Sequence, residues 1–194
     1  MDEPADSLRL DATSLRVLAH PLRSRLLAAL RIDGPATATE LAGTLETNTG
    51  ATSYHLRQLE EVGLVRDSGT GSGRRRVWEA ATRGHSWEPS DFAGDPEAEA
   101  SLAWLGDFYR SLHMERADQW ARNQRQWPPA WRDALGSGDD AVTLTAEQAV
   151  ALGEELREVI ARYRDLGTDE PGAARLHLFY DLFPFDDEPP QEQS

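Results

Sequence analysis

The sequence predicts a mainly α chain with short β segments, an α+β protein in two parts. A compact N-terminal domain of short helices closed by a two-stranded ribbon comes first, and a C-terminal α+β module built on one long helix follows it. Three observations carry this expectation. Apolar residues recur at helical spacing in short runs between residues 15 and 62, each bounded by residues that start or stop helices. A glycine-rich turn, Asp67-Ser68-Gly69-Thr70-Gly71-Ser72-Gly73, separates two short segments of strand character at 64–66 and 74–78. Beyond Gly84 the composition changes. Residues 12–85 carry 10 Arg against 7 acids and residues 86–194 carry 9 Arg against 23, so the net charge of −14 lies in the second half.

Leu15, Leu18 and Ala19 give the first helix its apolar spacing. Pro21 suits the first position of a second helix, where a missing N–H costs nothing, and Leu22, Leu26, Ala29 and Leu30 form its apolar face until Asp33-Gly34-Pro35 stops it. Thr37 and Glu40 have the spacing of a capping box for a third helix bearing Leu41 and Leu45. Thr47-Asn48-Thr49-Gly50 breaks the chain, Asn48 or Thr49 caps a fourth helix, and Gly63 ends it. Helices followed by strand, glycine turn and strand make a winged helix-turn-helix over residues 12–85, with residues 1–11 as an N-terminal arm.

Residues 87–94 read as a linker. Asp95-Pro96-Glu97 then opens a helix with an N-cap acid, a first-position Pro and an acid in the first turn. It can run to Trp127, where Pro128-Pro129 ends it, and residues 96–127 would span about 48 Å. A strand at 142–144 precedes a helix capped by Thr145 and Gln148, with Ala149, Leu152, Leu156, Val159, Ile160 and Tyr163 on one face and Gly167 at its end. A final strand at 175–183, with Leu176, Leu178, Tyr180 and Leu182 on one face, completes a module over 86–183. Residues 184–194, with four acids and no base, read as a disordered tail.

Several function classes fall away. The chain has no Cys, which excludes disulfides, thiolate metal sites and cysteine nucleophiles. Its five His, at 20, 55, 85, 113 and 177, are nowhere paired at helical spacing, so no metal site is expected. No run approaches the roughly 20 apolar residues of a membrane helix. The acidic start MDEPADSLRL lacks the apolar stretch of a secretory leader, and a cytoplasmic protein is expected. No Gly-x-Ser-x-Gly or His-Glu-x-x-His is present, and the Gly69–Gly73 run is followed by neither Lys nor a helix. Neither an enzyme nor a cofactor is expected.

Projected at about 100° per residue, the fourth helix has two unlike arcs. Ala51, Thr52, His55, Leu56, Leu59 and Val62 fall on one, which packs; Thr49, Gly50, Ser53, Tyr54 and Arg57 fall on the other. The second arc, with Gln58 beside it, offers hydroxyls, a phenol and a guanidinium to base edges and phosphates in a major groove. Arg74, Arg75 and Arg76 add charge beside the wing turn. Strand alternation lets Arg74 and Arg76 reach a phosphate or minor groove together while Arg75 points elsewhere. A solvated hairpin edge is the plainer reading of such a run, and its place beside a polar reading face favours DNA. His20 reads as a cap or turn residue, and His55 as a packed histidine.

The segments Leu18-Ala19-His20-Pro21-Leu22-Arg23, Thr39-Glu40-Leu41-Ala42 and Ser53-Tyr54-His55-Leu56-Arg57-Gln58-Leu59-Glu60-Glu61-Val62-Gly63-Leu64-Val65 resemble the arsenic-repressor-type (ArsR/SmtB) winged-helix regulators, over residues 12–85. The resemblance implies a dimeric bacterial transcription factor, usually a repressor, with the 49–58 helix in the major groove. Many members sense metals through cysteines in the third helix or Asp/His/Glu sets in a terminal helix. Here 39–45 is Cys-free and Asp107, His113 and Glu115 lack a matching set, so metal sensing is not expected.

On the 96–127 helix Ala98, Leu102, Leu105, Tyr109, Leu112, Trp120 and Trp127 share a stripe that also holds His113 and Arg116. Trp104, Tyr109, His113, Arg116 and Trp120 form a candidate effector pocket for a small aromatic or carboxylated molecule. A core or dimer seam is the plainer reading. The expected function is a sequence-specific regulator, a repressor, that binds double-stranded operator DNA as a homodimer and is released by a small organic effector. The alternative is a winged-helix protein-interaction or dimerisation module without sensing.

Overall fold

The computed structural model describes residues 5–72, 75–166 and 170–185. These form two compact units that divide after Asp118. The first contains β1 (Ala5–Arg9), α1 (Ala12–Leu18), α2 (Pro21–Asp33), β2 (Ala36–Thr37), α3 (Ala38–Thr44), α4 (Thr49–Glu61), β3 (Val65–Asp67), β4 (Val77–Ala80), β5 (Thr82–Ser86) and most of α5 (Pro96–Asn123). The second contains the end of α5, α6 (Pro129–Ala134) and α7 (Ala146–Leu166).

The helix boundaries follow from local hydrogen bonding. The Asp11 side chain accepts from the Ser14 N–H at 2.8 Å and starts α1. His20 caps α2, its Nδ1 accepting from the Leu22 N–H at 3.2 Å, and Pro21 takes the first helical position. At α3 both halves of the Thr37–Glu40 capping box are made. Asn48 Oδ1 accepts from the Ala51 N–H at 2.8 Å to start α4. Gly63, with φ at +72°, turns the chain out of α4 into β3. Thr145 and Gln148 exchange hydrogen bonds of 2.9 and 3.2 Å at the start of α7.

The helices of the first unit enclose Leu15, Leu18, Leu26, Leu27, Leu30, Leu41, Leu56 and Leu59, and the sheet covers them with Leu64, Val65 and Trp78. β4 is the central strand of an antiparallel sheet in the order β2-β4-β3, so the expected ribbon gains a third, two-residue strand.

Several elements differ from the sequence expectation. The N-terminal arm is not free: β1 pairs in parallel with β5, from Ala5 opposite Thr82 to Arg9 opposite Ser86, and Leu10 behind it is buried. The 87–94 stretch is not a loose linker either. It contains a single 3-10 turn, Pro89–Phe92, whose Phe92 is 2% exposed in the same core as Ala98 and Leu105 of α5. α5 ends at Asn123 and passes through a 3-10 turn before Pro128, short of the expected Trp127.

The strands expected at 142–144 and 175–183 are absent: both segments are irregular. Alternating apolar residues supply a strand face, but a ladder also needs a paired neighbour. Their side chains, Val142, Leu144, Leu176, Leu178, Tyr180 and Leu182, are instead exposed. The expected stop at Gly167 and the tail at 186–194 lie outside the described residues.

Candidate nucleic-acid interface

α4 is held by one face. Thr52, Leu56 and Leu59 are buried, and Ala51, His55 and Val62 are half-buried beside them. Thr52 also donates from its hydroxyl to the Asn48 carbonyl at 3.0 Å, which satisfies a polar group in the core. On the opposite face Thr49, Gly50, Tyr54 and Arg57 are exposed and Ser53 and Gln58 half-buried. Tyr54 is 55% exposed, unusual for a large aromatic residue on a well-packed helix. Gln58 donates to Glu61 at 2.9 Å.

His55 lies between the two faces. Its ring sits 4.5 Å from that of His20 and edge-on to Tyr54 at 5.1 Å. Burial, then the neighbouring His20 and Arg23, lowers its pKa. His20 is lowered likewise, by burial first. A charge on either ring would face the other, so both are held neutral at pH 7.

The wing arginines are engaged by carboxylates of the helix-turn-helix. Arg75 donates to Glu40 of α3 at 3.2 Å. Arg76 lies 3.4 Å from Glu60 and 3.5 Å from Asp67, with its guanidinium 5.5 Å over the Trp78 ring. Both side chains stay more than half exposed. Exposed pairs of this kind are worth less than about 1 kcal/mol each, so exchanging a carboxylate for a phosphate costs little. Arg74 and Gly73 lie outside the described residues. The Thr37 hydroxyl and backbone, and secondarily Arg75, hold the Glu40 carboxyl below its ordinary value.

The residues singled out on α5 separate into different surroundings. Trp104 stacks on Phe108 at 5.4 Å, Phe108 meets Tyr109 edge-on, and Tyr109 lies parallel to Trp87 with centroids 6.5 Å apart. The Tyr109 hydroxyl is 2.9 Å from His85 Nε2, and His85 Nδ1 is 2.6 Å from Arg31. Because a guanidinium only donates, Nδ1 must accept, so Nε2 carries the proton and donates to the Tyr109 oxygen. Arg31 also donates to the Thr82 carbonyl and hydroxyl, each at 3.1 Å, and to the Gly84 carbonyl at 2.9 Å.

Burial, with Arg31 second, pulls the His85 pKa down to about 3. Burial also lowers Arg31 to about 10 and raises Tyr109 to about 12. Arg31 and His85 were not expected at this site from the sequence, where Trp87 counted only as one of five Trp clustered within 45 residues. His113 is half-buried, Arg116 is exposed, and Trp120 meets Trp127 edge-on at 5.7 Å in the second unit. Among the described residues no group of three or more His, Cys, Asp or Glu is placed to hold a metal. No described helix is long and apolar enough to cross a membrane.

Residues 18–67, from the end of α1 through β3, match the family described as a helix-turn-helix domain. No curated protein matches this chain. Among solved structures it is similar to a possible transcriptional regulator for arsenical resistance, at 31% identity over 55% of this chain and 95% of that one, with a TM-score of 0.32. It is also similar to an ArsR family transcriptional regulator, at 28% identity over 51% and 89%, with a TM-score of 0.31. A third is the homodimeric winged helix-turn-helix DNA-binding domain of a possible ArsR-family regulator from Mycobacterium bovis, at 22% identity over 54% and 82%, TM-score 0.34. The fold and the matched segment define a winged helix-turn-helix protein.

Proposed function

We propose that the protein is a sequence-specific repressor that binds double-stranded operator DNA as a homodimer in the cytoplasm. α4 lies in the major groove, with Thr49, Gly50, Ser53, Tyr54, Arg57 and Gln58 towards base edges and phosphates. Arg74, Arg75 and Arg76 lie against the backbone or minor groove. The observation that carries the reading is the division of α4 into a buried arc, Thr52, Leu56 and Leu59, and a polar arc left open to solvent beside exposed wing arginines. A dimer follows from the short half-site that one reading helix covers.

Release is assigned to a small organic molecule acting at the first-unit residues of α5, Trp104, Tyr109, His113 and Arg116. Such a ligand acts only by favouring a dimer geometry in which the two reading helices no longer match their half-sites. An aromatic carboxylate suits the stacked rings and the buried Arg31 behind them, and to reach Arg31 it has to displace Tyr109 from His85. Fluorescence anisotropy on the DNA upstream of the gene, with and without such ligands, tests the reading. Arg57→Ala should weaken binding about tenfold or more while leaving the melting temperature unchanged.

A further inference from the structure

We propose that α7 is a dimerisation helix that pairs antiparallel with α7 of a second copy of this chain through a heptad seam. The inference rests on the homodimer reading above and adds the surface and the register. Ala149, Leu152, Leu156, Val159, Tyr163 and Leu166 follow one another at alternating spacings of three and four, the a and d positions of a coiled coil along the whole 21-residue helix. Glu154, Arg157, Glu158 and Arg164 occupy the outer positions. No large side chain of α7 is fully buried: Ala149, Leu152 and Leu156 are half-buried, Val159 is 40% exposed, and Tyr163 and Leu166 are 68% exposed. Among the described residues of the second unit no large hydrophobic side chain is buried, so the seam is only partly covered within the unit.

The flanking charges identify the occupant. The e positions, Gly153 and Ile160, are uncharged, and the g positions beside them are Glu155 and Arg162. In an antiparallel pair centred between Arg157 and Glu158, Leu156 lies opposite Val159 of the second copy, Leu152 opposite Tyr163, and Ala149 opposite Leu166. The g positions then face each other, so Glu155 meets Arg162 of the second copy and the two-fold axis repeats the contact. A parallel pair would bring Glu155 towards Ile160 and stack Tyr163 on itself. A surface in which residue i meets residue j and j meets i is what a two-fold interface between identical chains requires, and this helix is complementary in that sense to itself.

The absence of Cys from the chain allows single labels to be placed on the full-length protein. Spin labels at Glu147→Cys and Glu154→Cys, both exposed, lie about 32 Å and about 10 Å apart along the axis in the antiparallel register. Pulsed dipolar measurement should therefore find the distance at 147 longer than at 154 by on the order of 15 Å, whereas a parallel pair gives nearly equal distances. By light scattering, Glu155→Arg should weaken the dimer about tenfold, Arg162→Glu should do the same, and the double charge swap should restore it.

Equal label distances, a monomeric wild-type protein, or a dimer indifferent to both single swaps would overturn the proposal. Operator binding is scored separately on the same variants. DNA binding without a charge-dependent dimer refutes only the α7 pairing, and a charge-dependent dimer without DNA binding refutes only the repressor reading.

Discussion

Acidification should destabilise the first unit through His85. The imidazole lies between the Arg31 guanidinium at 2.6 Å and the Tyr109 oxygen at 2.9 Å, and its pKa falls from 6.5 to about 3. Unfolded, the ring takes a proton near pH 6.5; folded, it stays neutral until about pH 3. The unfolded state therefore holds more protons across that window, and stability is lost as the pH falls. Integrated from pH 7 to pH 5, one such group costs about 2 kcal/mol, or about 8 °C in melting temperature for a domain of this size. Carboxylates with lowered values, such as Asp11, Glu40 and Asp95, lose their contribution at lower pH and leave this window to histidine. His20 and His55 act in the same direction, so the control is His85→Asn, which keeps an acceptor for Arg31 and does not titrate. Urea denaturation of both proteins at pH 7, 6 and 5 should show the variant losing less stability than the wild type by about 2 kcal/mol. Identical losses in the two proteins would refute the assignment of a buried neutral His85.

Tyr109→Phe removes the acceptor of the His85 Nε2–H within the core and should cost about 1–3 kcal/mol in urea denaturation; a neutral result would mean that the hydroxyl makes no such bond. Arg75→Ala combined with Arg76→Ala should flatten the salt dependence of operator binding, by about 0.9 in the slope of log K against log salt for each phosphate that is no longer neutralised. An unchanged slope in a folded variant would remove the wing from the DNA interface.

The helix starts were legible in the sequence because each depends on residues three apart. The Thr37–Glu40 box and the Asn48 cap are local chemistry, and the structure makes both. The two arcs of α4 were legible for the same reason, since helical projection needs only the helix itself. Pairing over distance was not. β1 finds β5 across the whole helix-turn-helix, and no local pattern in ADSLR announces a partner.

α2 is buried around much of its circumference, with Ser24 and Leu27 as covered as Leu26 and Leu30. A polar Arg31 on that helix therefore reads as solvent-facing until β5 and α5 close over it. The segments 142–144 and 175–183 erred the other way, since alternation marks a possible strand and pairing makes one. The carboxylates that meet Arg75 and Arg76 come from α3, α4 and β3, a meeting set by how the wing folds back.

If α4 lies in the major groove as proposed, its exposed arc reads a base sequence. Selection of bound duplexes from a random library, followed by anisotropy on the enriched sequence at physiological salt, tests it most directly. The expected product is an inverted repeat with half-sites about one helical turn apart, bound at least about 1,000-fold more tightly than a scrambled duplex, with that ratio collapsing in Arg57→Ala. Failure to enrich any sequence, or equal affinity for enriched and scrambled duplexes, would contradict it.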